Sequence, residues 1–162
     1  MTAFLTRIPV LWTLFIVAFL ITNGFALLAP QVGGPYLDSL WNGAQAEARL
    51  AEMTDSQRSA HFWITVLLDT AYPLAYGGFL AGMALRFFGA FGRLASLPAF
   101  ATIIVDLTEN TVQALALSGA ADVLDAKTWM TPLKFYLFGL AGLIAVIALV
   151  IAIVNVFRKN RA

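Results

Sequence analysis

Polar side chains follow one face of the predicted helix that contains VDLTENTVQ, residues 105–113. They recur at steps of four, three, one and three residues, and residues three or four apart share a helix face. The members of this stripe are Thr102, Asp106, Glu109, Asn110 and Gln113. A charged side chain at a bilayer centre costs about 3 kcal/mol on insertion scales, and such residues mark substrate sites or proton relays. The stripe is therefore a candidate site for a small molecule or a proton.

A second polar stripe lies on the preceding apolar segment. Its members recur at steps of four, four, three and four residues: His61, Thr65, Asp69, Tyr72 and Tyr76. Two such stripes on consecutive helices of opposite direction would bury each other. With a rise of about 1.5 Å per residue, Asp69, Asp106 and Glu109 share the outer half of a bilayer with Asn23 of the first apolar segment.

No lysine or arginine is predicted at the depth of these carboxylates. The nearest, Lys134, lies at the outer start of the fourth apolar segment, where we expect an interfacial anchor rather than a buried counter-ion. Three carboxylates in a low dielectric cannot all ionise cheaply, so we expect at least one to be protonated at neutral pH. Alternatively, a ligand, an ion or another subunit supplies the missing positive charge. The competing explanation is a buried network that only fixes helix register, and for Tyr72 and Tyr76 packing explains the pattern equally well.

The elements that must hold these stripes follow from composition. The chain has 162 residues, 60% hydrophobic and 12% charged, with a mean hydropathy of +0.83. About 20 largely apolar residues cross a bilayer as a helix, and four segments qualify: roughly 10–29, 62–84, 95–117 and 133–156. The sequence therefore predicts an all-α polytopic membrane protein, a single domain over 1–162 with four transmembrane helices in an antiparallel bundle.

The first apolar segment has a competing interpretation as a signal peptide, since Arg7 precedes it and Pro30 follows Ala-Leu-Leu-Ala. The run is about 19 residues, whereas the apolar core of a signal peptide is about 7–15 residues long. We therefore expect a retained first helix.

The distribution of charge predicts topology. Three regions contain basic residues and no acidic ones. They are the stretch before the first apolar segment (Arg7), the connection between the second and third segments (Arg86 and Arg93), and the stretch after the fourth segment (Arg158, Lys159 and Arg161). The other two connections hold four basic residues (Arg49, Arg58, Lys127 and Lys134) against six acidic ones (Asp38, Glu47, Glu52, Asp55, Asp122 and Asp125). By the positive-inside rule both termini are cytoplasmic, in what we expect to be a bacterial inner membrane. The basic residues are then contacts for anionic lipids, not for nucleic acid.

The first outer connection contains a predicted amphipathic helix at about residues 37–53. Its apolar positions are Leu37, Leu40, Trp41, Ala44, Ala48 and Ala51, opposite Asp38, Glu47, Arg49 and Glu52. Thr54 or Asp55 is expected to cap the next helix. In the second outer connection, Thr128 to Pro132 predict a cap and turn, with Trp129 at the interface.

Proline and glycine mark the apolar segments. Pro73 removes a backbone hydrogen bond near Asp69, which commonly bends or opens a transmembrane helix. The small residues Gly77, Gly78, Gly82, Gly139 and Gly142 allow close helix approach. Packing within the bundle is preferred to homodimerisation as their explanation.

Several site chemistries are excluded or disfavoured. The chain has no cysteine and a single histidine, His61, expected at the interface as an ordinary helix-start residue. Thiolate chemistry is therefore excluded, and a multi-histidine metal or haem site is disfavoured. Oxygen ligands from Asp69, Asp106 and Glu109 suit a hard cation, but no recognised metal loop accompanies them. No metal or other cofactor is expected, and neither a Walker loop nor a G-x-S-x-G elbow is present.

The stretch LLDTAYPLAY, with an acidic residue shortly before a proline in the second helix, resembles the EXPERA group of sterol isomerases and the sigma-2 receptor. That resemblance implies a four-helix membrane fold with an intramembrane pocket for sterols or amphipathic amines. It implies for Asp69 a contact to a cationic group or a proton shuttle. The sequence departs from the group in having Asn23 where the first helix carries an acid, and in its acidic cluster on the third helix.

The leading hypothesis is an intramembrane pocket between the second and third helices that binds a lipid-like or cationic small molecule, or handles a proton. The residues assigned to it are Asp69, Tyr72, Tyr76, Asp106, Glu109, Asn110, Gln113 and Asn23. The alternatives are an accessory subunit of a larger membrane complex and an EXPERA-like isomerase. Partners beyond lipids and such a ligand are other membrane subunits or a second copy, and catalysis is not the preferred interpretation.

Overall fold

The computed structural model describes residues 2–159, and the elements within that range are all helical. In chain order they are α1 (Thr2–Leu5), α2 (Ile8–Val32), α3 (Gly43–Glu52), α4 (Asp55–Trp63), α5 (Thr70–Phe87), α6 (Gly92–Ala95), α7 (Leu97–Ser118) and α8 (Lys127–Lys159). The all-α class is confirmed. Arg161, one of the predicted topology determinants, lies outside the described residues.

Four helical units of the described chain are long and apolar enough to cross a membrane, by length and composition. They are Ile8–Val32, Asp55–Phe87, Gly89–Ser118 and Leu124–Arg158. Each contains one predicted apolar segment and extends beyond it. The second unit starts early because Thr54, one of the two predicted caps, forms a capping box with Gln57, which satisfies backbone donors at the start of α4.

Helix α5 is the common neighbour of the other long helices, since it packs against α2, α7 and α8. Glycines permit this closeness: a Cβ on Gly82 would lie 2.6 Å from the carbonyl oxygen of Leu5, and one on Gly77 would collide with Ile103. Packing of the α5 glycines is confirmed. Nothing lies within 4 Å of a Cβ on Gly139 or Gly142, so the predicted packing role of these two is wrong.

One widened turn with π-helical hydrogen bonding, Ile64–Asp69, joins α4 to α5. Pro73 lies four residues after Asp69, inside α5. Because proline has no N–H, the backbone carbonyl of Asp69 loses its ordinary helical donor. The helix is thus widened over the turn that ends at Asp69, near the position where Pro73 was predicted to act, and the carbonyl of Asp69 is free for a partner from another helix.

Helix α3 buries a different face from the predicted one. Ala44, Ala48 and Ala51 of the predicted apolar face are exposed. Ala46 and Arg49 are buried instead. The Arg49 guanidinium donates to the carbonyls of Val32 at 2.7 Å and Pro35 at 3.4 Å. Since the last carbonyls of a helix lack helical partners, Arg49 caps α2, and this contact decides which face of α3 turns inward.

Helix α8 begins at Lys127, six residues before the predicted start of the fourth apolar segment. The predicted cap and turn over Thr128 to Pro132 is therefore wrong, since these residues are helical and Pro132 lies inside the helix. The Thr128 hydroxyl accepts from the N–H of Gly43, at 3.2 Å, which docks this first turn against α3. As a result Lys127, Thr131 and Lys134 share one face of α8.

Candidate functional site

The two predicted polar stripes meet. All five members of the α7 stripe are buried: Thr102, Asp106, Glu109, Asn110 and Gln113. On the facing stripe His61, Thr65 and Asp69 are buried, and Tyr72 and Tyr76 are half-buried. The Tyr76 hydroxyl donates to Asp106 Oδ2 at 2.5 Å, so the prediction that the stripes bury each other is confirmed.

Asn23 is not part of this arrangement. Its side chain is exposed and its amide donates to the carbonyl of Phe19 in the preceding turn of α2, at 2.7 Å. Because the side chain is exposed and bonds to its own helix, Asn23 lies outside the buried stripes. Its predicted place in the site is wrong.

Lys134 is a buried counter-ion, which corrects the predicted interfacial anchor. Only 2% of the residue is exposed. Its ammonium nitrogen bonds to Asp38, lies 2.8 Å from Glu109 Oε2 and lies 3.5 Å from Asp106 Oδ1. The helical start of α8 brings Lys134 inward, so the predicted shortage of internal positive charge is also wrong.

A second lysine lies deeper in the protein. Lys127 and Glu109 are both fully buried, and the Lys127 ammonium donates to Glu109 Oε1. Thr131, one turn along α8, donates to the same oxygen at 2.5 Å and accepts from Lys127 at 3.2 Å. Glu109 therefore lies between two ammonium groups, and each of its carboxylate oxygens faces one of them.

We call Asp38, Asp69, Asp106, Glu109, Lys127 and Lys134 the charge cluster. Oxygen atoms of Asp38, Asp69 and Asp106 lie within 4.8 Å of one another, and Lys134 contacts two of these residues. Four carboxylates thus face two ammonium groups, and full ionisation would leave two negative charges uncompensated. Close carboxylates in a low dielectric cannot all ionise at small cost, so the cluster favours retention of protons.

This geometry argues against a metal ion bound by the acidic residues. The three acidic residues that converge are Asp38, Asp69 and Asp106, whereas the sequence grouped Asp69 and Asp106 with Glu109. An ammonium group already contacts two of the three converging carboxylates. The lysines equally weaken the argument that another subunit must supply the missing cation.

The carbonyl freed by Pro73 has a partner on α7. The side-chain amide of Asn110 donates to the backbone oxygen of Asp69 at 2.8 Å, and both groups are buried. An unsatisfied buried acceptor costs about 1–3 kcal/mol. Asn110 therefore ties the α4–α5 junction to α7 and holds Asp69 beside Asp106.

We expect Asn110→Ala to destabilise the protein by about 1–3 kcal/mol, because the Asp69 carbonyl is left unpaired. In a Pro73→Ala background the loss should be smaller, because the N–H of the introduced alanine can bond to that carbonyl. Reversible unfolding of the four proteins of this double-mutant cycle in mixed micelles measures the coupling, expected at about 1 kcal/mol. Additive effects would show that Asn110 does not compensate for Pro73.

His61 is buried, with 1% exposed, which corrects the predicted interfacial position. Its Nε2 accepts from the N–H of Leu37 at 3.3 Å, and its ring meets Tyr36 edge to face. An accepting Nε2 places the proton of neutral imidazole on Nδ1. His61 therefore anchors the segment that carries Asp38 and lies within electrostatic range of Asp38, Arg49 and Lys127.

Aromatic rings line the α2 side of the cluster. Phe25 packs edge to face against both Tyr36 and Tyr72, and Tyr72 packs against Tyr76, with ring centroids 4.9–5.7 Å apart. The Tyr36 hydroxyl donates to the carbonyl of Phe25 at 2.8 Å. Burial, and to a lesser extent the charge of Asp69, raise the pKa of this hydroxyl. The wall thus presents aromatic rings and lies beside two carboxylates, Asp69 near Tyr36 and Asp106 at Tyr76.

Sequence reasoning missed four residues of this site: Asp38, Lys127, Thr131 and Lys134. The last three lie at i, i+4 and i+7, which is one helix face, and this signal was available but hidden by treating Pro132 as part of a turn. No local signal identifies Asp38, because Leu37–Ser39 is a single short turn whose position depends on contacts to α4, α7 and α8.

Comparison with family models, with curated proteins and with solved structures finds no match to this chain. The assignment of function rests on the geometry of the charge cluster.

Proposed function

We propose that the chain is an integral membrane protein with four antiparallel crossings, cytoplasmic termini and the charge cluster in the outer half of a bacterial inner membrane. Support comes from the four long apolar units and from large apolar side chains exposed on them, such as Leu27 at 79% and Leu143 at 58%. Exposed apolar surface of this extent is typical of contact with lipid. Release of the chain from membranes by alkaline carbonate would contradict the proposal.

Within that membrane, the protein's function is to bind and release a proton at the charge cluster. The observation that carries this proposal is that one ammonium group, on Lys134, contacts Asp38, Asp106 and Glu109 together. A proton added to one of the three leaves the lysine paired with the other two. The cluster can therefore change its proton occupancy without leaving a buried cation unpaired, which is the costly outcome in a low dielectric.

Asp38 is the route by which a proton reaches the cluster. Its side chain is 30% exposed, whereas those of Asp106 and Glu109 are 5% and 0% exposed. From Asp38 the contacts continue through Lys134 to Asp106 and on to the Tyr76 hydroxyl. Gln113 also donates to Asp38, at 3.4 Å. In the proposed orientation this route opens to the outer aqueous side.

Infrared spectroscopy of the purified full-length protein across the physiological pH range tests this proposal, since protonated carboxyl groups absorb apart from carboxylates. We expect a protonated carboxyl signal that grows as the pH falls and is reduced by Asp106→Asn. The matched control is Asp122→Asn, because Asp122 is exposed in the connection before α8. A buried-carboxyl signal that does not change with pH would indicate a purely structural network.

A second candidate function is binding of a lipophilic amine beside Asp69, as the EXPERA resemblance implies. It is favoured by the aromatic wall of Phe25, Tyr36, Tyr72 and Tyr76, since aromatic faces attract cations. The same spectra distinguish the two functions. If the protein binds such amines, an added lipophilic amine should bind saturably and shift the carboxyl signal of the wild type. The Asp69→Asn protein should show no such shift. Isomerase chemistry would require a further acid or base aimed at that ligand.

A further inference from the structure

A long groove lies at the opposite end of the molecule from the charge cluster. It has a volume of about 1320 Å³ and runs between α2 and α8 with α5 as its floor. Apolar side chains line most of it, among them Leu11, Trp12 and Phe15 of α2, Phe79 and Met83 of α5 and Leu149 of α8. This volume exceeds the usual 300–1,000 Å³ of a small-molecule pocket.

The groove is polar at one end only. Arg86 and Arg158 line that end together with Asn155. All nine acidic residues of the chain lie elsewhere, in the α3–α4 region, in the charge cluster or before α8. Both arginines therefore line the groove without an acidic side chain of the chain as partner.

One of these arginines is held in place. Arg86 Nη1 donates to the carbonyl of Thr6, in the turn between α1 and α2, at 2.5 Å. The neighbouring Gly82 allows this turn to approach α5, because a Cβ there would meet the Leu5 carbonyl at 2.6 Å. Only one of the five guanidinium N–H donors is used by this bond, and the rest are available to an anion.

We propose that the groove binds one anionic phospholipid of the cytoplasmic leaflet, with an acyl chain along α5 and the phosphate at Arg86 and Arg158. Charge complementarity selects this occupant, since an apolar channel ends at two cations that no acidic side chain neutralises. Phe79 lies seven residues before Arg86, about 10 Å along the helix axis, which suits a chain within a leaflet whose hydrocarbon is about 15 Å thick. The inference rests on the proposed membrane insertion and is independent of proton binding at the charge cluster.

Native mass spectrometry of the full-length protein released from nanodiscs tests the inference, with equal amounts of phosphatidylglycerol and phosphatidylcholine as the probes. We expect one phosphatidylglycerol retained preferentially. Arg86→Gln or Arg158→Gln should each reduce that preference about fivefold, since a basic side chain near an anionic surface contributes about 1 kcal/mol. Arg93→Gln is the matched control: its charge is predicted to face the same anionic surface, but Arg93 is exposed on α6 and does not line the groove, so the retained lipid should be unaffected.

A second variant, Ala152→Trp, narrows the groove from α8 and keeps both arginines. It should lower retention of the lipid while the infrared response of the charge cluster is unchanged. Equal retention of both lipids, or equal effects of the Arg86 and Arg93 variants, would overturn the inference. A second copy of the chain bound in place of lipid would do the same. If the inference fails while the carboxyl signal still responds to pH, the proposed function stands.

Discussion

Replacing Lys134 by methionine is expected to destabilise the folded protein by about 3–5 kcal/mol, the usual cost of removing one partner from a buried ion pair. The loss falls at the top of that range because a single ammonium serves Asp38, Asp106 and Glu109. Methionine keeps the volume of the stem, so the effect reports charge and not a cavity. Reversible unfolding in mixed micelles, followed by the fluorescence of the four tryptophans, measures it.

Acidification should reduce this loss, because protonation removes the negative charges that Lys134 no longer compensates. The matched control is Arg93→Met, which removes an exposed cation and should change stability by less than about 0.5 kcal/mol. A Lys134→Met protein as stable as the control at neutral pH would mean that the ammonium group is in water in the folded protein.

The pair Lys127–Glu109 should show strong coupling, because both charged side chains are fully buried. Lys127→Met leaves Glu109 Oε1 with only the Thr131 hydroxyl as a partner and should cost about 3 kcal/mol or more, since both charged groups are fully buried. Adding Glu109→Gln should recover part of that loss, because a carboxylate that keeps only Lys134 as a cationic partner, at Oε2, becomes a neutral amide. The expected interaction energy from the unfolding of the four proteins is about 2–3 kcal/mol.

Glu47→Gln provides the control for this cycle, since Glu47 is exposed on α3 and is not among the partners of the fully buried Lys127, which are Glu109 and Thr131. The effects of Lys127→Met and Glu47→Gln should add within about 0.5 kcal/mol. If the effects of Lys127→Met and Glu109→Gln also add within this limit, the assigned ion pair is contradicted.

Periodicity was sufficient to predict the acid side of this site. Asp106, Glu109 and Asn110 fall on one face of any helix that contains them, and a buried partner stripe with Asp69 follows from the next segment along the chain. Pro73 likewise predicts the opened helix, because a missing N–H is a property of the residue itself.

The basic side of the site required tertiary contacts. Lys134 at the polar start of an apolar run usually directs its ammonium to water, and only the extension of α8 back to Lys127 turns it inward. That extension is stabilised by the hydrogen bond from the N–H of Gly43 to the Thr128 hydroxyl, which joins residues 85 positions apart. The prediction of the buried face of α3 was wrong because this face also depends on tertiary contacts. The partners of Arg49 are carbonyls of α2 and of the turn that follows α2.

The order of the charge cluster along the chain has a consequence for biosynthesis. Every carboxylate of the cluster is made before either lysine, and Glu109 precedes its partner Lys127 by 18 residues. At the usual rate of translation that interval lasts about one to four seconds. If the first three apolar units enter the bilayer in that time, their acids enter before Lys127 and Lys134 exist. The ion pairs of the charge cluster therefore form only when α8 docks, so the last helix made completes the buried site.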